Sequence, residues 1–389
     1  MKAIVYNIFG LGHINSTLPL VTSLVTSGVE VLYHSSPERK ALIESTGAKF
    51  VNYGYDSYQA ADFNPGKNFV QCTLPATLGL LPFLMAEIER EKPDFIIYDS
   101  MAPWGYVLSH IFNIPAFCSV STFALSKDNK NEIFVLNKVE PDEESLWAIA
   151  EIKMRYGVEL NFDQTLGTYN EHNLLFTAEK FHPAISKEQN GQKQNFYFVG
   201  SQTNGRGANL EIPWEKLKAN GRKILYMSLG TLTEENTYAE KLFHSFLETF
   251  GEDKRFSLIL STGKEKILSS IPSNAWVQKF VPQVEVLIQT DIFITHGGMN
   301  SLNEALSHGV PVLVIPHAKD QWKNAAQVTE LSLGEVVSPD KVTPSLLREK
   351  VLRLQSPFYK KNCLDMKKSF QETLGTMKTT EMIRQLVGL

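Results

Sequence analysis

His13, in "FGLGHINS", and Asp99, which closes "DFIIYD", are the residues of this sequence best placed to move a proton. His13 stands just before a helix, whose start carries roughly half a positive charge; that field disfavours the imidazolium and leaves a neutral ring able to act as a base near pH 7. Asp99 leaves its strand at the carboxyl end, where its carboxylate can hold the second ring nitrogen and stabilise the cation that forms. Such a pair suits removal of a hydroxyl proton, which turns the oxygen into a nucleophile.

A second constellation lies in "FITHGGMNSLNEAL", Phe293 to Leu306. The apolar run ends at Thr295, a His-Gly-Gly turn follows, and Leu302, Ala305 and Leu306 recur at helical spacing, with Gly309 as a stop before "VPVLVIP". This is a βαβ unit, and its loop lies at the carboxyl end of a parallel strand, where open α/β sheets bind ligands. Gly297 and Gly298 let backbone N–H groups approach an anion, and Asn300 and Ser301 add donors at the helix start. A diphosphate fits such a loop. Glu304, one turn into the helix, can accept from ribose hydroxyls, and Asp320 with Gln321, after the next strand, suit a polyol. Upstream, "KFVPQVEVL" offers Phe280 as a stacking surface and Gln283 as an amide able to read a base edge, with Val281 between them. Ser228, Gly230 and Thr231 of "SLGT" place small donors on the same sheet edge, and Gly12 joins them from the first loop. His308 reads as a C-terminal cap partner, whereas His317 falls beside the polyol site.

These residues need strands to carry them, and the chain supplies strand and helix in alternation. "KAIVYNI" precedes a helix from about Ser16 to Ser27; "VEVLYHS", a helix near Pro37 to Ser45, "KFVNYG", "DFIIYD", a helix from Pro103 to Phe112 and "IPAFCSV" follow. The runs are apolar on both faces, as parallel strands covered by helices must be. A charged, mostly helical stretch from Phe123 to about His172 interrupts them. After "SQTNGRGANLEIP", rich in Gly, Asn and Ser, the alternation restarts with "KILYMSLG". The expected fold is therefore α/β, two Rossmann-like domains: residues 1–205 as the first domain, 206–221 as linker, 222–356 as the second domain and 357–389 as a C-terminal helical segment packing back across the domains.

The 389 residues exceed one ordinary core, in agreement with two domains. A net charge of −4, with no long charge blocks, gives no footprint for nucleic acid. Three scattered cysteines, Cys72, Cys118 and Cys363, form neither a disulfide framework nor a zinc spacing and fit a reducing cytoplasm. The N-terminal run ends in Gly, His and Asn with no small-residue cleavage site. The longest apolar window, "LPATLGLLPFLM", holds two prolines and falls short of the ~20 residues of a membrane span, so no spanning segment is expected. A nicotinamide cofactor is disfavoured: "GLGHIN" lacks the third glycine of a dinucleotide loop, and the second strand closes on His34 and Ser35 rather than an acid.

From Phe280 to Asn324 the sequence resembles the donor-binding signature of family 1 glycosyltransferases, the UDP-glycosyltransferase superfamily of the GT-B fold. The resemblance extends through "GLGHIN" and "YDS", and is closest to the bacterial macrolide-glycosyltransferase branch. It implies two domains facing a central cleft, residues 1–205 binding the acceptor and residues 222–356 the nucleotide sugar, with no cofactor beyond the sugar nucleotide itself. It places Phe280 on the uracil where the family usually has Trp, Gln283 at the base, and His296, Gly298, Asn300 and Ser301 at the diphosphate. Glu304 then belongs at the ribose, Asp320 and Gln321 at the sugar, and His13 with Asp99 in a catalytic dyad. The family usually carries Pro where this loop has Ser16.

The reaction so implied is inverting transfer of a hexose, glucose by the lean of Asp320 and Gln321, from a UDP-sugar to a hydroxyl of a small lipophilic acceptor such as a polyphenol or macrolide. The chain has no Asp-x-Asp pair, and a helix start with His296 can do the work of a metal, so no metal is expected. Leu78, Phe83, Trp104, Phe117 and Phe123 are the candidate apolar acceptor wall. Two alternatives use the same frame: a sugar-nucleotide epimerase, which needs acid and base groups around the sugar instead, and a silent sugar-nucleotide sensor, which needs no dyad.

Overall fold

The computed structural model describes residues 1–53, 69–124, 140–160, 170–185, 188–189, 192–201, 210–230, 237–264, 270–317 and 319–388. The chain forms two compact units. Unit 1 comprises residues 1–176, 183–202 and 374–389; unit 2 comprises 177–182 and 203–373.

Unit 1 is built on seven strands: β1 (Lys2–Tyr6), β2 (Glu30–Ser35), β3 (Lys49–Asn52), β4 (Phe95–Asp99), β5 (Ala116–Val120), β6 (His172–Leu175) and, after a short antiparallel pair β7 (Glu188–Gln189) and β8 (Gln192–Lys193), β9 (Asn195–Phe198). Their order is β3-β2-β1-β4-β5-β6-β9, and every pair is parallel. The order reverses direction between β1 and β4, which creates a crevice outside their carboxyl ends. Helix α1 (Leu11–Thr26) follows β1, α2 (Lys40–Glu44) precedes β3, α3 (Phe69–Glu91) precedes β4, α4 (Pro103–Phe112) joins β4 to β5, and α5 (Glu143–Tyr156) lies before β6. One sheet face buries Ile4, Tyr6, Leu84 and Trp104; the other buries Val5, Ile14, Phe95 and Phe117.

Two elements depart from the expected outline. α1 begins at Leu11, not near Ser16, with Gly10 as an N-cap that offers no side chain, so no capping residue marked its start. α3 runs unbroken through Pro75 and Pro82, and burial of Leu74, Leu80, Leu81, Leu84 and Ile88 outweighs the ~3 kcal/mol that an interior proline costs. By length and composition Gln71–Glu91 would suffice to cross a membrane, but 56% of its apolar window is buried in the core of unit 1.

Unit 2 repeats the plan. A short helix α6 (Trp214–Leu217) leads into β10 (Lys223–Ser228), α7 (Thr237–Phe250), β11 (Phe256–Ser261), β12 (Ala275–Gln278), α8 (Gln283–Ile288), β13 (Ile292–Thr295), α9 (Met299–Ser307), β14 (Val312–Val314), α10 (Lys319–Glu330) and β15 (Gly334–Val336). The strand order is β12-β11-β10-β13-β14-β15, all parallel, with the reversal between β10 and β13. Helices α11 (Pro344–Leu354) and α12 (Pro357–Gln371) complete it. The last helix, α13 (Gly375–Leu386), belongs to unit 1 and packs on α1, where Thr380 Oγ1 donates to Ser23 Oγ at 2.8 Å. The terminal segment 357–389 is thus shared between the units, and the expected linker falls inside unit 2, its first residues, 206–209, lying outside those described.

Candidate functional site

Two clusters stand at the two reversal points. In unit 1, the loop after β1 is anchored by Asn7, whose Nδ2 donates to Tyr33 Oη at 2.8 Å, and by Thr17, whose Oγ1 lies 2.7 Å from the same hydroxyl. All three are buried, so the entry to α1 is pinned to β2. His13 then falls inside the first turn of α1, and Gly10 leaves it space, since a Cβ there would lie 3.2 Å from His13 Cδ2. His13 Nδ1 stands 2.8 Å from Asp99 Oδ2. Asp99 is oriented in turn by the Met101 N–H, which donates to Oδ1 at 2.9 Å, and its carboxylate is fully buried against a partly exposed imidazole. Nδ1 is thereby the protonated nitrogen, and Nε2 keeps the basic lone pair.

Ser121 carries no signal of a site in the sequence. Its Oγ lies 2.8 Å from His13 Nδ1, just past the end of β5, so the imidazole edge is held by two oxygens from two strands. No spacing signal ties residue 121 to residue 13; only the pairing of β4 with β5 brings them together. Where a dinucleotide fold would place an acid, β2 carries His34, buried with its Nε2 2.7 Å from Glu87 Oε2.

The expected acceptor wall does not assemble as one surface. Trp104 and Phe117 are core residues on opposite faces of the sheet, because Phe117 alternates with Cys118 along β5 and only the Cys118 side faces Trp104. Trp104 is further tied through Nε1 to Tyr53 Oη at 3.2 Å. Leu78 packs on the same core as Trp104, Phe123 is buried, and Phe83 is 47% exposed. Gly12 sits exposed beside His13, its carbonyl accepting from Ser16 Oγ at 2.9 Å.

In unit 2, β10 and β13 lie side by side, with Ser228 opposite Thr295. His296 follows β13 and is gripped by glycines: a Cβ at Gly230 would fall 2.5 Å from His296 Cε1, and one at Gly298 2.5 Å from Nε2. Burial, with His317 nearby, pushes its pKa down to about 4, so it is a neutral N–H donor at pH 7. Gly297 adopts φ +86°, the left-handed conformation glycine allows, and its carbonyl is held by Asn324 Nδ2 at 2.8 Å. α9 then starts at Met299 with no capping side chain and no acid in its first turn, the arrangement that favours an anion. Asn300 and Ser301 are partly exposed on that turn.

Glu304 is 3% exposed, and its Oε2 accepts from Gln283 Nε2 at 2.6 Å. Gln283 opens α8 and also accepts on Oε1 from Tyr226 Oη at 2.9 Å, so its amide is engaged at both ends. Phe280 is 52% exposed, with Lys279 Nζ 5.6 Å from the centroid of its ring; Val281 is half-buried. Gln321 is buried and accepts the His317 N–H at 2.7 Å, whereas Asp320 is exposed at the start of α10. His308 Nδ1 lies 2.8 Å from the Glu304 carbonyl, as a helix-end partner should. Thr231 lies outside the described residues. Among the described residues no group of three or more His, Cys, Asp or Glu could hold a metal ion.

Residues 248–389 match the family model described as Erythromycin biosynthesis protein CIII-like, C-terminal domain. The chain is 30% identical to the NDP-glycosyltransferase YjiC of Bacillus licheniformis, over 99% of this chain and 97% of that protein. It is 28% identical to the uncharacterized UDP-glucosyltransferase YdhE of Bacillus subtilis, over 97% of this chain and 96% of its relative. Among solved structures, the glycotransferase of kitacinnamycin superposes with a TM-score of 0.82 at 25% identity, covering 99% of each chain.

Proposed function

Since the chain belongs to the UDP-glycosyltransferase family, in its macrolide-glycosyltransferase-like branch, and is a GT-B glycosyltransferase, we propose that it transfers a hexose, glucose in the first instance, from a UDP-sugar to a hydroxyl of a small lipophilic acceptor, with inversion and without a metal. The observation that carries this reading is the His13 imidazole, held at Nδ1 by buried Asp99 at 2.8 Å so that Nε2 is left as the base. Nε2 takes the acceptor's proton, and the oxygen's electron pair attacks the anomeric carbon. The bond from that carbon to the diphosphate oxygen breaks on the opposite face, and its electron pair leaves with the diphosphate. The neutral His296 N–H, the Gly297–Gly298 turn and the uncapped start of α9 stabilise that leaving charge, the role a divalent cation would otherwise fill. Asp99 stabilises the imidazolium until its proton is lost to water. Phe280 supports the uracil, Glu304 the ribose, and Asp320 with Gln321 the hexose. Cys72, Cys118 and Cys363, all buried and far apart in the chain, suit a cytoplasmic enzyme.

The test is UDP release from UDP-glucose in EDTA, with and without a polyphenol or macrolide, comparing the native chain with His13→Ala. Acceptor-dependent release that survives EDTA and falls about 10²- to 10⁴-fold in the variant is expected. Equal release without acceptor, or full rate in His13→Ala, would remove His13 from the mechanism.

A further inference from the structure

We propose that Tyr226, which lies behind the donor site, sets the preference of this enzyme for ribonucleotide over 2′-deoxyribonucleotide donors by fixing Gln283 and, through it, Glu304. The proposal rests on the reading of Glu304 as the ribose acceptor. Tyr226 sits in the middle of β10 with no exposed surface, its ring stacked on Phe293 at 4.8 Å and 16°. Its hydroxyl donates to Gln283 Oε1 at 2.9 Å. That bond decides which way the amide faces, because an amide has a donor end and an acceptor end. With Oε1 turned to Tyr226, Nε2 is presented to Glu304 Oε2 at 2.6 Å and to Ser301 Oγ at 3.4 Å. Reversed, the amide would set its oxygen against a buried carboxylate, which can only accept, and Glu304 would have to turn away.

Tyr226 is well suited to this task. Burial raises its pKa above the ordinary phenol value, so the hydroxyl keeps its proton and remains a donor at any working pH. It reaches across the reversal between β10 and β13 to the first residue of α8, and so links a strand of the sheet to both residues read as nucleoside contacts. It is a positioning residue: the group that meets the ribose is Glu304, and Tyr226 acts on it through one amide. Loss of a carboxylate held for two vicinal hydroxyls weakens a ribonucleotide more than a nucleotide that lacks one of them, so the effect is one of selectivity.

The experiment measures binding of UDP and of 2′-deoxy-UDP by calorimetry to the native chain and to Tyr226→Phe, which keeps the ring, the stack on Phe293 and the core volume. Gln283→Ala is the second variant, and UDP-glucose kinetics accompany all three. The native chain should favour UDP over 2′-deoxy-UDP. In Tyr226→Phe, UDP binding should weaken roughly fivefold to tenfold, the order expected for one hydrogen bond, with 2′-deoxy-UDP little changed and KM rising while kcat holds. Gln283→Ala should lose the same selectivity, and adding Tyr226→Phe to it should change nothing more. If the native chain discriminates and Tyr226→Phe discriminates equally, or both nucleotides weaken in parallel, the role given to Tyr226 is wrong while the donor site stands. If the native chain binds neither nucleotide, or both alike, the ribose reading of Glu304 fails and the proposal falls with it.

Discussion

His296 shows how burial sets the chemistry of a single side chain. The sequence points to it through the glycines that follow, but its charge state is a property of the packed site, where burial and His317 hold its pKa near 4 rather than the usual 6.5. Between those values the unfolded chain binds a proton that the folded chain does not, so stability rises with pH across the window and is lost as pH falls from about 6.5 to about 4. The loss attributable to this group is ~3 kcal/mol at ~1.4 kcal/mol per pH unit. Urea unfolding of the native chain and His296→Gln at pH 7 and pH 4 measures it: the native chain should lose more stability than the variant, and parallel curves would refute the assignment. His13 and Asp99 were legible because each closes or follows an apolar run. Ser121 and Tyr226 were not, because a serine past one strand and a tyrosine within another look like ordinary core and loop residues until a partner strand is chosen.

At the level of elements, the loop between β13 and α9 depends on the helix two elements further on. Asn324, on α10, donates to the Gly297 carbonyl at 2.8 Å, and both groups are buried. Asn324→Ala would leave that carbonyl without its donor and should cost unit 2 about 1–3 kcal/mol, with weaker UDP binding. Thermal unfolding and calorimetry decide it, and an unchanged melting temperature would show that the loop holds its shape unaided. The strands are legible in their apolar runs, since parallel strands buried on both faces leave a strong signal. Helix starts leave a weaker signal. α1 begins five residues before Ser16 because Gly10 caps it through backbone conformation alone, and α3 continues through two prolines because its packed face dominates.

For the whole molecule, the chain order of the units does not follow their contacts. Residues 374–389 return to unit 1, where Ile383 is fully buried beside Val5, Ile14 and Leu24, and Arg384 donates to the Ser27 carbonyl at 3.1 Å. Ile383→Ala should destabilise unit 1 by about 2–5 kcal/mol. Hydrogen exchange should register this in β1, β2 and β4 and leave β10 and β13 protected as before; equal loss in both units would contradict the division. The sequence alone determined the α/β class, the two-unit plan, the strand ends that carry the candidate residues and the family resemblance, because hydrophobic periodicity and Gly-rich turns act over a few residues. Only the tertiary structure decided that Ser121 shares the imidazole of His13, that Tyr226 aims Gln283, that Trp104 and Phe117 face opposite sides of a sheet, and that the last helix joins unit 1. Each of these depends on strand order or on contacts between residues far apart in the chain, which no local pattern records.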